Sequence, residues 1–167
     1  MKLFASLTIL LLTVSLLGCK KEEGVSPENT AKANEFKAVL TSKAFQIADY
    51  YADKPIDYVE TDGEVRQETD LWKYVSPWLK DDLNVFDFAS GKVTIAQNSS
   101  KIEGNDEEYI VMSFSVAAEK TGVYFNFLNY LYQPLKYRLE EFTEDYFIVS
   151  VEWGGGARVF TKFVALD

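Results

Sequence analysis

The chain has 167 residues, with 26 acidic against 17 basic side chains, a formal net charge of −9, one cysteine and no histidine. So acidic a protein repels phosphate backbones, which excludes nucleic acid as a partner and leaves no electrostatic hold on anionic lipid. The lack of histidine removes the commonest general base and metal ligand, and a lone cysteine excludes an intramolecular disulfide framework.

Residues 1–18 stand apart from the rest. Lys2 gives a positive start, and Leu3 to Leu17 run for fifteen residues without a charge, short of the roughly 20 that a spanning helix needs. This pattern is the apolar core of a signal peptide, closed by Lys20-Lys21-Glu22-Glu23. The junction Leu16-Leu17-Gly18-Cys19 resembles the lipobox of bacterial lipoproteins. The resemblance implies cleavage between Gly18 and Cys19, a diacylglycerol on the Cys19 sulfur, and an acyl group such as palmitate on the new amine. Several acyl chains at one site meet the requirement for stable anchoring, so the expected partner is a membrane. Cleavage removes one charge, Lys2, taking the net charge from −9 to −10, and leaves the 149 residues from Cys19 to Asp167. That is enough for one domain with a real core. Residues 19–29 are polar, with Gly24 and Pro27, and read as a flexible tether. Within it Lys21-Glu22-Glu23 resembles the surface-export signal of Bacteroidetes-type lipoproteins, which implies an outer-membrane protein facing outward.

The domain proper, 30–167, follows in order. Ser26-Pro27 supplies a cap and a first-turn proline, and Ala33, Phe36, Val39 and Leu40 share one face, predicting an amphipathic helix over 27–41. In a barrel such a helix plugs one end or packs on the wall. Alternation then sets in around Phe45, Ile47 and Tyr51. Residues 53–68, with Pro55, Asp57 and Asp62-Gly63-Glu64, read as a loop, and 69–76 as one or two helical turns ending before Pro77. Alternating apolar residues and turn signals place eight strands at 43–52, 82–88, 92–97, 108–118, 122–132, 135–142, 146–153 and 157–165. Short connections, among them Ala89-Ser-Gly91 and Gly154-Gly-Gly156, favour an antiparallel up-and-down order. Eight strands close into a barrel that holds packed side chains or one small ligand. The predicted fold is therefore mainly β: an eight-stranded antiparallel up-and-down barrel with a short N-terminal amphipathic helix.

The stretch from Asp70 to Gly91, with Lys80-Asp81-Asp82, Phe86, Phe88 and Gly91, resembles the signature of lipocalin-like lipoproteins of Bacteroidetes-type bacteria. Leu139 before the turn at 143–145, and Arg158-Val-Phe-Thr-Lys162 near the end, are similar too. The resemblance spans roughly 35–166 and implies an eight-stranded lipocalin-like barrel that binds apolar ligands. Relatives carry a cysteine where this chain has Trp78, so their disulfide staple is absent here.

Core packing is the plain reading of Phe86, Phe88, Phe114, Phe147 and Phe163. Trp72 and Trp78, beside the helical turn that would cover a barrel mouth, are candidate ligand contacts, together with Tyr124, Tyr130 and Tyr132. Asp81-Asp82 and Glu140-Glu141 are adjacent acids; on strands they would point to opposite faces, and as a class they read as solvated surface charge. A catalytic carboxylate pair has to converge in a cleft. Asn105-Asp106-Glu107-Glu108 lacks the spacing of a calcium loop, and no cofactor or metal is expected. The sequence thus predicts a membrane-anchored, non-catalytic binding module for a small apolar or amphipathic molecule. Its distinguishing feature is an apolar cavity of at least about 300 Å³. The alternatives are a structural or protein-interaction module of the cell envelope with a solid core, and a carboxylate-based hydrolase.

Overall fold

The computed structural model describes residues 24–59, 63–101, 108–128 and 134–166. Ser26 caps the first helix: its hydroxyl accepts the Asn29 N–H at 3.1 Å, and Pro27 takes the first helical position, where its missing N–H costs nothing. Helix α1, Pro27–Ser42, buries Ala33, Phe36 and Leu40, with Val39 packed beside them. This is the face expected from spacing.

Nine strands follow: β1 (Ala44–Val59), β2 (Val65–Asp70), β3 (Leu83–Asp87), β4 (Lys92–Ala96), β5 (Tyr109–Glu119), β6 (Gly122–Leu128), β7 (Pro134–Phe142), β8 (Tyr146–Glu152) and β9 (Arg158–Leu166). Eight of them form a closed antiparallel barrel. β3 to β9 pair in sequence order, and β1 closes the ring by pairing with β9 from Ala44↔Leu166 to Ala52↔Val159, and with β3 at Phe45↔Asn84. The predicted fold is the observed one, and it fits a lipocalin-like barrel. Among the described residues every strand of the ring has a neighbour on both sides, β1 and β3 sharing the single pair Phe45↔Asn84.

The segment 53–68 departs from the loop expected of it. β1 continues to Val59, and β2 pairs back onto it from Ile56↔Glu68 to Val59↔Val65. The result is a hairpin that extends past the start of β9. Pro55 sits where the register between β1 and β2 shifts, the place in a strand where a missing N–H is tolerated. The helical turn expected within 69–76 is present as the single 3-10 turn Trp72–Tyr74, which ends before Pro77; the second difference is that Pro77 then opens helix α2, Pro77–Asp81.

Helix α1 closes one end of the barrel. The Phe36 ring lies 5.3 Å from Phe147, 5.4 Å from Phe142 and 6.3 Å from Phe125, rings contributed by three different strands. Asn29 Nδ2 donates to the carbonyl of Glu119 at 2.8 Å, which ties the start of the helix to the β5–β6 turn. Above Phe36 the interior is filled by Phe45, Phe86, Phe114 and Phe125, all buried and mostly edge-to-face. Each buried ring contributes roughly 1.5–3 kcal/mol through removal from water. The expected core phenylalanines, Phe86, Phe88, Phe114, Phe147 and Phe163, all lie in or against this cluster. At the opposite end Gly154–Gly156 make the tight β8–β9 turn, with Gly155 and Gly156 both at φ 73°, a region that side chains disfavour.

Candidate functional site

With α1 and its phenylalanines filling one half, the other half of the barrel is hollow. A cavity of about 600 Å³ opens there, well within the range of small-molecule sites. Its floor and sides come from inward residues of the strands, such as Ile47, Ile95, Met112 and Val149. Its mouth is made by the raised hairpin (Ile56 to Val59), the segment from Leu71 to Leu79, and Trp153. The polar side chains on the described wall are Asp57, Ser76, Asp82, Asn84 and Thr161, together with the phenols of Tyr50, Tyr58, Tyr74 and Tyr137. Everything else on it is aliphatic or aromatic.

The mouth is held by side chains on both its flanks. Tyr58 of the hairpin stacks on Tyr74 of the 3-10 turn, with 3.7 Å between ring centres. Tyr74 Oη donates to Glu68 on β2 at 3.1 Å, and Lys73 pairs with the same carboxylate at 2.8 Å. That shared bonding to Lys73 holds the half-buried Glu68 carboxyl below its usual range.

Burial dominates the electrostatics inside. It raises the Tyr50 phenol, and it pushes Tyr137 up to about 12, with a smaller push from Tyr50 beside it. Both are therefore neutral hydrogen-bond donors at any physiological pH. The Asp82 carboxyl is pushed up to about 6, first by burial and second by the charge of Asp81. Asp82 is 2 % exposed, and neither of its oxygens has a hydrogen-bond partner.

The two adjacent acid pairs fare differently from what their sequence implies. Asp81 accepts the Ser99 hydroxyl and the Ser99 and Ser100 N–H groups on its Oδ2, while its Oδ1 is buried. Asp82 turns inward, so it is not solvated surface charge. Glu140 and Glu141 do not take opposite faces, because a bulge between Leu139 and Glu141 interrupts the alternation. Both then find partners on the outer wall: Glu140 accepts from Ser150 and Arg158, and Glu141 from Tyr146.

Of the aromatic candidates, Trp78 stands on the cavity wall. Trp72 does not; the Lys80 ammonium lies 4.5 Å over its ring. Tyr124 is on the outer face of β6, between the buried Val123 and Phe125, with Lys136 over its ring and its hydroxyl bonded to Thr121. Tyr130 and Tyr132 lie outside the described residues, as do Gly18, Cys19, Lys21, Glu22 and Glu23 and most of the 105–108 acidic turn. Sequence reasoning missed Tyr50, Tyr137 and Asp82. The two tyrosines carry a signal in the alternation of their strands, whereas Asp82 carries none, since it falls between a helix and a strand.

Among the described residues no group of three acids or cysteines is placed to hold a metal ion, and no helix is long and apolar enough to cross a membrane. Compared with protein-family models the chain matches none, and no curated protein sequence is similar to it.

Proposed function

We propose that this chain is a lipoprotein of the outer-membrane, lipocalin-like kind, held to the bilayer by acylated Cys19, whose barrel takes up a small apolar or amphipathic molecule. The observation that carries this reading is the cavity of about 600 Å³ with its largely apolar wall, twice the size that distinguishes a binding barrel from a solid one. The enclosed phenylalanine core supports it from the other side. A barrel whose only task was stability would fill both halves, since voids forfeit packing energy. Native mass spectrometry of the purified protein, incubated with a lipid and metabolite extract, tests it. A small molecule retained one-to-one, and lost on Trp78→Ala, is the expected result; a bare protein under all gentle conditions overturns it.

A second reading has one observation in its favour. Val59 is 62 % exposed, Val65 61 % and Trp153 50 %, all at the mouth end, and an exposed apolar rim suits a protein partner. In that case the rim, and not the interior, is the functional surface, and changing Val65, which does not line the cavity, to Ser weakens complex formation while leaving the cavity intact.

A further inference from the structure

An apolar ligand alone leaves one wall residue unexplained. Asp82 lies on the cavity wall, almost wholly removed from solvent, with both carboxylate oxygens unpartnered. Buried polar groups in folded proteins nearly always have partners, and an orphan calls for a cause. The Ser99 hydroxyl and the Ser99 and Ser100 N–H groups donate to the neighbouring Asp81, and Asn84 donates to the Phe45 carbonyl at 3.1 Å. No lysine or arginine stands on the described wall.

Resting on the reading of the barrel as a ligand-binding module, we propose that its ligand is an amphiphile with a protonated amine head, whose N–H groups donate to Asp82 while the apolar body fills the cavity. A buried carboxylate favours a cation over a neutral donor, since charge-assisted hydrogen bonds are roughly twice as strong. A hydroxyl would satisfy one oxygen and leave the charge uncompensated. A fatty acid would bring a second negative charge to a site with no cation to receive it.

The other titratable groups leave Asp82 as the one that switches. On β1 the wall carries Tyr50, Asp57 and Tyr58, on the 3-10 turn Tyr74, and on β7 Tyr137. The phenols of Tyr50, Tyr74 and Tyr137 are raised and stay neutral, and Asp57 accepts a hydrogen bond from Gln67. Beside Asp82 in the chain, Asp81 is held below its usual range by the Ser99 hydroxyl, and the Lys80 ammonium sits over Trp72. Asp82, at about 6, is ionised at pH 7.5 and about nine-tenths protonated at pH 5. An alkylamine stays protonated throughout that range.

The test is calorimetric titration of the purified protein with decylamine, decanol and decanoate, at pH 7.5 and pH 5, for the wild type and Asp82→Asn. Decylamine should bind at least about tenfold more tightly than decanol at pH 7.5. It should weaken about tenfold at pH 5, where decanol holds steady. Asp82→Asn should erase the preference for amine yet keep decanol binding. If the variant fails to fold, the wild-type pH comparison decides alone. Equal binding of all three probes, or a preference for decanoate, overturns the role of Asp82 while the binding module stands. No binding of any probe to the folded protein overturns both.

Discussion

Changing Asp82 to Asn keeps the shape of the side chain and removes a charge from the barrel interior. In the folded protein the carboxyl is pushed up to about 6, against about 3.9 in an unfolded chain. The folded state therefore holds the proton more tightly. Its stability is greatest below about pH 4 and is lost as the pH rises through 6. A gap of about two pKa units, at about 1.4 kcal/mol each, means that ionised Asp82 costs the fold roughly 3 kcal/mol at pH 8. Asp82 is almost fully covered by protein but faces an open cavity, so screening by solvent makes this an upper figure. Asparagine does not titrate. Between pH 4 and pH 8, then, the stability of the variant relative to the wild type should rise by up to about 2 kcal/mol, the remainder having been lost by pH 4. Guanidinium unfolding of both proteins at pH 4, 6 and 8 measures it. Subtraction cancels the opposing contributions of Asp81, Asp87 and Glu68, which are held low by hydrogen bonds and lose stabilisation on acidification. A wild-type-to-variant difference that stays constant across the three pH values refutes the argument.

Three further outcomes are expected. Phe36→Ala, which removes the ring closing the lower end of the barrel, should cost about 3–5 kcal/mol in denaturant unfolding. Gly155→Ala should cost about 1 kcal/mol in thermal melts, because φ is 73° there while no neighbouring atom crowds the new methyl group, so the loss is backbone strain alone. Gly154→Ala, at a negative φ and in equally open space, is the control and should be near neutral. Cys19→Ser should abolish incorporation of labelled palmitate and release the protein from the membrane fraction, while Glu22→Ala with Glu23→Ala should keep the label and lose antibody labelling of whole cells.

The barrel was legible because its strands have one dry face. Along β8 and β9, Phe147, Val149, Val159, Thr161 and Phe163 point inward and are buried, so the two-residue period survives in the sequence. β2, the second arm of the hairpin, has no such face. Of Val65-Arg-Gln-Glu-Thr-Asp70 only Glu68 is even half-buried, and a strand exposed on both sides reads as polar loop. Its turn residues and Pro55 completed the disguise. Pro77 misled for a related reason: proline both follows helices and opens them, and the hydrogen bond it lacks is the same in either case. The cavity itself could be read only as a capacity, since eight strands can be hollow or full. Which half is hollow was decided by the packing of Phe36 against rings from distant strands. The inward turn of Asp82 depended on where α2 ends relative to β3, a matter of one residue, and element boundaries are set by tertiary contacts that no local pattern records.

Helix α1 also fixes a direction. Its first residues are clamped to the β5–β6 turn at the closed end, and six residues lie between Cys19 and Ser26, a reach of at most about 25 Å of extended chain. An acyl anchor at Cys19, as proposed, would join the barrel at its filled end, like a bottle tied by its base, and leave the neck as the part farthest from the attachment point. The shortest route for cargo into such a barrel is then from the aqueous side or by hand-over from another protein, and uptake of a lipid straight out of the membrane requires the barrel to tip over on its tether.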